Sequence, residues 1–169
     1  MFRLISDFES IWRQEAENTL KILEAIPDAA AHTAVTPEHR DLQRLAWHLV
    51  ETVVEMPSNM GIKVEGFSGE PFKTSPPESM QAIRDTYAAV SGSLLAQVKG
   101  LNNMALAANY PFYGEIWTGA MALYVLVTHQ AHHRGQMTVL MRQAGLKVPG
   151  IYGPSKEEWT AYGMPVPTV

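Results

Sequence analysis

The chain has 169 residues, 46% of them apolar and 18% charged, with a formal net charge of −4 and no cysteine. That length suits one domain, residues 1–169, with a real core, and the composition is that of a folded chain rather than a disordered or collagen-like one. No basic block offers a footprint for nucleic acid, and the lack of cysteine excludes disulfides, thiolate metal sites and a protein thiol nucleophile.

The opening MFRLISDFESIWRQ meets Asp7 and Glu9 before any apolar run of signal-peptide length, so the chain reads as cytoplasmic. Its longest uncharged apolar segment, near GAMALYVLV, falls far short of a membrane span. Across residues 4–25, Leu4, Ile5, Phe8, Ile11, Trp12, Leu20 and Leu23 recur mainly at three- and four-residue steps, which predicts a first amphipathic helix stopped near Pro27. The polar connection PDAAAHTAVTPEHR follows, and its His32 and His39 read as solvated or capping residues.

A second helix is predicted from Asp41 to Glu55, with Leu42, Leu45, Leu49, Val53 and Met56 as its apolar line. Pro57 ends or kinks it, and residues 57–77 hold too much Gly, Pro and Ser to be helical. Met80, Ile83, Tyr87, Val90, Leu94 and Val98 mark a third helix, with Pro77 acceptable at its start. Residues 99–115 form a second irregular connection with a short helical piece at MALAA. A last long helix is expected over Ile116 to Gln143, capped by Gly145, before an irregular tail rich in Pro, Gly and aromatics that packs over one end. No strand alternation or internal repeat is evident, so the fold class is all-α, a four-helix bundle whose long connections include at least one crossover.

THQAHHRGQM, residues 128–137, places three of the six histidines in five consecutive positions. At roughly 100° per residue, Leu126, His133, Met137, Leu140 and Ala144 share one arc, with His129 on its flank beside Gln136 and His132 toward its edge; Arg134, Thr138 and Arg142 point away. Imidazoles one turn apart can hold one divalent ion, and His48 in LAWHLVETVVEM, flanking the apolar line of the second helix, offers a third ligand. Glu55, on about the same face as His48, is a supporting or alternative ligand. Three neutral imidazoles plus water would leave an open position, as a reactive site requires. Two other readings stand beside this one: histidines that are merely hydrogen-bonded, and an ion that only ties two helices together, closed by His132 or Glu55. Met56, Met60, Met137 and Met141 read as core filler, while Tyr110, Tyr113 and Trp117 are candidates to shape a pocket.

With LAWHLVE on the second helix and THQAHHRGQMTVLMRQAGLKVP on the fourth, the chain resembles the DinB-like (DinB/YfiT-like) superfamily of metal-dependent four-helix-bundle proteins. The resemblance implies an up-down-down-up bundle, often a homodimer, with a divalent metal such as zinc or nickel held by His48, His129 and His133. His132 matches an extra histidine of the motif that is not a ligand. Of Arg134, Gly135 and Gln136, only Gly135 suggests a physical role, close helix packing. Some relatives are thiol-dependent transferases or isomerases using low-molecular-weight thiols, so the resemblance implies a thiol-dependent S-transferase, or alternatively a non-catalytic binding or stress-response module. One branch has glutamate in place of a histidine ligand; position 129 is histidine here, and that branch's isomerase activity is not carried over.

Overall fold

The structure is a computed structural model and describes residues 1–166 and Thr168. Pro167 and Val169, which belong to the expected domain and tail, lie outside the described residues. Four long helices dominate: α1 (Ile5–Glu24), α2 (Leu42–Ser58), α3 (Met80–Lys99) and, after a four-residue helix α4 (Met104–Ala107) and a hairpin of β1 (Asn109–Phe112) and β2 (Glu115–Thr118), the long α5 (Gly119–Gln143). Side-chain caps set three of the four starts. Asp41 accepts from the Arg44 N–H at 2.7 Å, Ser79 from Ala82 at 3.1 Å and Thr118 from Met121 at 3.2 Å, each satisfying a donor that the first helical turn leaves free.

The last helix therefore starts three residues later than its apolar pattern predicts, because residues 116–118 belong to β2. Asn109–Phe112 pairs antiparallel with Glu115–Thr118 across Tyr113 and Gly114, whose φ angles of 49° and 87° suit a two-residue hairpin turn. Strands of four residues are too short to show alternation in the sequence. Pro57 neither stops α2 nor falls outside it; the helix runs one residue further, to Ser58.

The long helices form a ring in the order α1, α3, α2, α5, each packed on two neighbours. Contacts between chain positions give their directions. Glu9 meets Lys99 and Glu24 meets Arg84, so α1 and α3 run antiparallel. Thr52 meets Gln130 while Met60 lies near Gly119, so α2 and α5 are antiparallel too. Gln43 reaches the carbonyls of Pro77 and Glu78, whereas Glu65, beyond the end of α2, meets Ser93, so α2 and α3 are parallel. The result is up-down-down-up. Parallel α2 and α3 require the chain between them to travel back along the bundle, which makes residues 59–79 the crossover; the 100–118 connection only closes one end.

Apolar burial fills the centre of the ring. Phe8 and Trp12 are fully buried and stack with ring centroids 5.6 Å apart, and Leu42, Leu49, Ile83, Leu94, Leu123 and Leu126 belong to the same core, spread along the bundle. Among the described residues no helix is long and apolar enough to cross a membrane. The tail is held down from two sides: Val148 is buried, and the Tyr152 hydroxyl donates to Glu15 on α1 at 2.7 Å.

Two polar side chains inside the bundle lock α5 against its neighbours. Gln130, fully buried, donates to the Leu49 carbonyl at 3.1 Å and the Thr52 hydroxyl at 3.0 Å on α2, and accepts from Tyr87 of α3 at 3.1 Å. Arg134 does not point away, contrary to its place opposite the apolar arc. It is 2% exposed and pairs with the Glu15 carboxylate on α1, also donating to Thr19 at 2.9 Å. The sequence arc identifies the face toward α2, but in a ring α5 has a second covered face, toward α1. Removing one partner of such a buried pair strands the other charge. Arg134→Met is expected to lower the unfolding free energy by about 3–5 kcal/mol, read from urea denaturation, and the double variant Glu15→Leu/Arg134→Met to recover much of the loss. A change below about 1 kcal/mol for the single variant contradicts a structural role for the pair.

Candidate metal centre

His48 on α2 and His129 and His133 on α5 come together where the two helices face each other, about halfway along both. One ring nitrogen from each lies within 4.8 Å of the others. The Nε2 atoms of His129 and His133 are 3.2 Å apart, close to the roughly 3.3 Å that separates two nitrogens bonded at about 2.0–2.1 Å to one tetrahedral zinc. His48 and His133 are each 8% exposed, and their rings meet edge to face with centroids 4.6 Å apart.

Burial sets the protonation of this cluster. It is the leading cause that pushes the His48 imidazole down to about 3, with the Arg40 charge next, and the His129 imidazole down to about 4, with His133 next. His133 is lowered as well, burial again leading, against a hydrogen bond to the Gln136 carbonyl oxygen that works the other way. All three are neutral near pH 7, the state in which imidazole binds a metal. His133 donates from Nδ1 to the Gln136 carbonyl oxygen at 2.7 Å, which leaves its Nε2 unprotonated and turned to His129. The Nδ1 atoms of His48 and His129 are buried without a hydrogen-bond partner among the described residues. The converging ring nitrogens of three neutral imidazoles, two of them only 3.2 Å apart, fit a site that takes a cation.

The other sequence candidates lie elsewhere. His132 is exposed and accepts from the Gln136 amide at 3.2 Å, outside the cluster. Glu55 accepts from the Tyr113 hydroxyl at 2.7 Å and from Asn59, and is also outside it. His39 contacts the Thr36 hydroxyl and lines the cavity beside His133 without joining the cluster, and His32 pairs with Asp41; both are exposed. Tyr110, Tyr113 and Trp117 sit in the hairpin, where Trp117 stacks on Phe112 at 4.8 Å, and none of them lines the cavity beside His133. Gly135 is exposed with open space around a would-be Cβ, so close packing is not its role; at Gly119 a Cβ would collide with the Ala105 carbonyl of α4.

Three residues around the histidines were within the quoted motifs but had no role assigned from sequence. Gln136 orients His133, and Arg134 ties α5 to α1. Glu51, fully buried, closes the other side: paired with Arg44 at 2.5 Å, it accepts from the Phe72 backbone N–H at 2.8 Å and the Thr74 hydroxyl at 3.3 Å. That anchor seats Phe72, at a φ of 66° that non-glycine residues seldom adopt, with its ring 5.6 Å from that of His48. A glutamate one turn after a histidine in LAWHLVE was the only sequence signal for it.

Comparison with known proteins agrees with this architecture. The chain is 38% identical over 169 residues to the uncharacterized protein YrdA of Bacillus subtilis (strain 168), covering 99% of both. A crystal structure of a DinB-like protein from Bacillus cereus ATCC 10987 superposes with a TM-score of 0.83 at 36% identity, over 90% of this chain and 100% of that one. A DinB-like protein from Bacillus subtilis, YjoA, matches at a TM-score of 0.68 and 18% identity over 88% of this chain and 98% of its own, a likeness of fold alone. Residues 1–166 match the DinB family, and with the helix order, the two motifs and these relatives the chain belongs to that family.

Proposed function

We propose that the protein is a divalent-metal-dependent enzyme, with His48, His129 and His133 as ligands and zinc or nickel as the ion. The observation that carries this is the convergence of three neutral imidazoles, two buried and one half-buried, with a ring nitrogen from each within 4.8 Å of the others, beside a cavity of about 520 Å³ to whose wall His133 contributes. A bound ion of this kind supplies Lewis acidity and lowers the pKa of a thiol or water that it binds. The chain's own side chains prepare the site. Gln136 keeps the His133 Nδ1 protonated and its Nε2 free, the Gln130 and Arg134 contacts hold α5 so that two histidines meet His48, and Phe72 covers the His48 ring.

No fourth histidine or carboxylate joins the cluster among the described residues. A site with three protein ligands favours a reactive over a purely structural role, since structural sites are as a rule closed by four. We infer a transferase that adds a low-molecular-weight thiol to an electrophile. The thiol comes from outside, because the chain has no cysteine, and the inference of this substrate class follows the family resemblance. A second copy of the chain is the expected partner, on the same ground. The alternative, a metal-stabilised binding module without turnover, predicts the same metal content but no reaction.

Protein purified without chelators or a polyhistidine tag is expected to carry close to one ion per chain by elemental analysis, and His48→Ala to lose it. Gln136→Leu should keep the fold and weaken metal binding by about 10–100-fold, as loss of an orienting hydrogen bond to a ligand does. Unchanged metal content in His48→Ala overturns the three-histidine site. Low-molecular-weight thiols assayed with electrophilic acceptors should react only with the metal-loaded protein; a loaded protein inert to all of them favours the binding module.

Stability of the metal-free protein should depend on pH with a definite sign. In the unfolded chain each histidine protonates near pH 6.5, whereas His129 and His48 stay neutral in the fold until about 4 and about 3. The unfolded state then binds more protons between those values, so the contribution is fully present above about pH 6.5 and is lost as pH falls toward 4. The urea midpoint of chelator-treated protein should fall from pH 7 to pH 4.5, and fall less in His48→Gln/His129→Gln; equal slopes contradict the depressed values.

A further inference from the structure

The connection before α2, the first turn of α2 and the later half of α5 enclose the cavity of about 520 Å³ beside the metal centre. Val35, Leu45, Val139 and Leu140 make most of its wall apolar, and His133 belongs both to this wall and to the histidine cluster. Its volume is in the range of about 300–1,000 Å³ typical of small-molecule sites. Arg40 also lines it.

The carboxylates nearest Arg40 in the chain are committed elsewhere. Glu38, on the same wall, accepts from the Thr36 hydroxyl at 2.6 Å; Asp41 caps α2 and pairs with His32; Glu51 is taken by Arg44. Arg40 makes no ion pair among the described residues, and its charge reaches all three histidines of the cluster. Glu38 keeps its charge on the same wall, but no carboxylate among the described residues is bound to Arg40, and an exposed guanidinium lining an apolar cavity suits a planar anion, which a carboxylate matches in two parallel hydrogen bonds.

We propose that this cavity binds a molecule with an apolar body and a carboxylate, and that Arg40 is the residue that recognises the carboxylate. The proposal rests on the metal site above only for the placement of the molecule's reactive end, which His133 brings to the cluster. A cationic or uncharged analogue of the same shape gains the apolar contacts and loses the charge pairing, so Arg40 sets selectivity rather than overall fit.

Calorimetric titration of hexanoate and of 1-hexanol into chelator-treated and zinc-loaded protein tests this. Hexanoate should bind the chelator-treated protein at least about ten-fold more tightly than hexanol, on the scale expected of one charge-assisted pair. Arg40→Gln, on the exposed connection and outside the core, should bring that ratio close to one while leaving hexanol binding and metal content unchanged; Val139→Trp, which fills the cavity, should weaken both ligands. The proposal is overturned if Arg40→Gln keeps the preference for hexanoate, or if neither ligand binds the wild-type protein. It is also overturned if hexanoate binds only zinc-loaded protein and is lost in His133→Ala, which places the carboxylate on the ion. Failure of the metal site shows separately, as absence of zinc from the loaded protein, and leaves the chelator-treated comparison intact.

Discussion

α5 must present polar side chains to all three other long helices at once, its two ring neighbours and α3 across the bundle, and its rotation about its own axis is set by two buried contacts one turn apart. Gln130 bonds to the Leu49 carbonyl and Thr52 of α2 and accepts from Tyr87 of α3, while Arg134 reaches Glu15 and Thr19 of α1. In a low-dielectric interior an unpaired amide or guanidinium is costly, so neither contact tolerates slippage of the helix. With 130 and 134 keyed in this way, positions 129 and 133 have no choice of direction and must meet His48. The convergence of the three histidines is thus a by-product of how the bundle satisfies its buried polar groups, and its precision is inherited from them.

The same low dielectric prepares the chemistry. Burial takes the proton off all three imidazoles near neutral pH, so the cluster offers nitrogen lone pairs instead of positive charge. The crossover from α2 to α3 covers one side, because Glu51, placed one turn from His48, draws the backbone of Phe72 down onto the ring. The opposite side is left to the connection before α2, where the apolar cavity and Arg40 lie. One flank of the histidines is therefore packed and the other concave, which is how a site can be dry at the ligands and still admit a small molecule.

Much of this was legible in the residues, for reasons that differ by element. The long helices could be read because a three- to four-residue apolar step survives twenty residues of noise, as in α1 and α3. His48, His129 and His133 could be read because a helical face is a matter of arithmetic, and the DinB-like motifs selected the same three. The hairpin could not, since four residues a strand give no period and the decisive datum is a backbone angle at Tyr113. Arg134 is not legible as buried from the sequence because the apolar arc marks only one covered face of α5, whereas a ring of four helices covers two flanks of each. Glu51 and Gln136 stood in the motifs, but what they touch lies across the fold or depends on a side-chain torsion, neither of which spacing encodes. Gly135 shows the converse: a glycine in a motif need not mark a close approach, and here Gly119 does.

The central claim is that three imidazole nitrogens, and no further side chain, hold one divalent ion. Metal-edge X-ray absorption on the protein as purified measures the ligand shell directly. The account predicts, for zinc, a four-coordinate ion with three histidine nitrogens at about 2.0–2.1 Å and one solvent or substrate ligand, with multiple-scattering features of imidazole. A shell of oxygen ligands alone, or one with a fourth protein side chain, would contradict it.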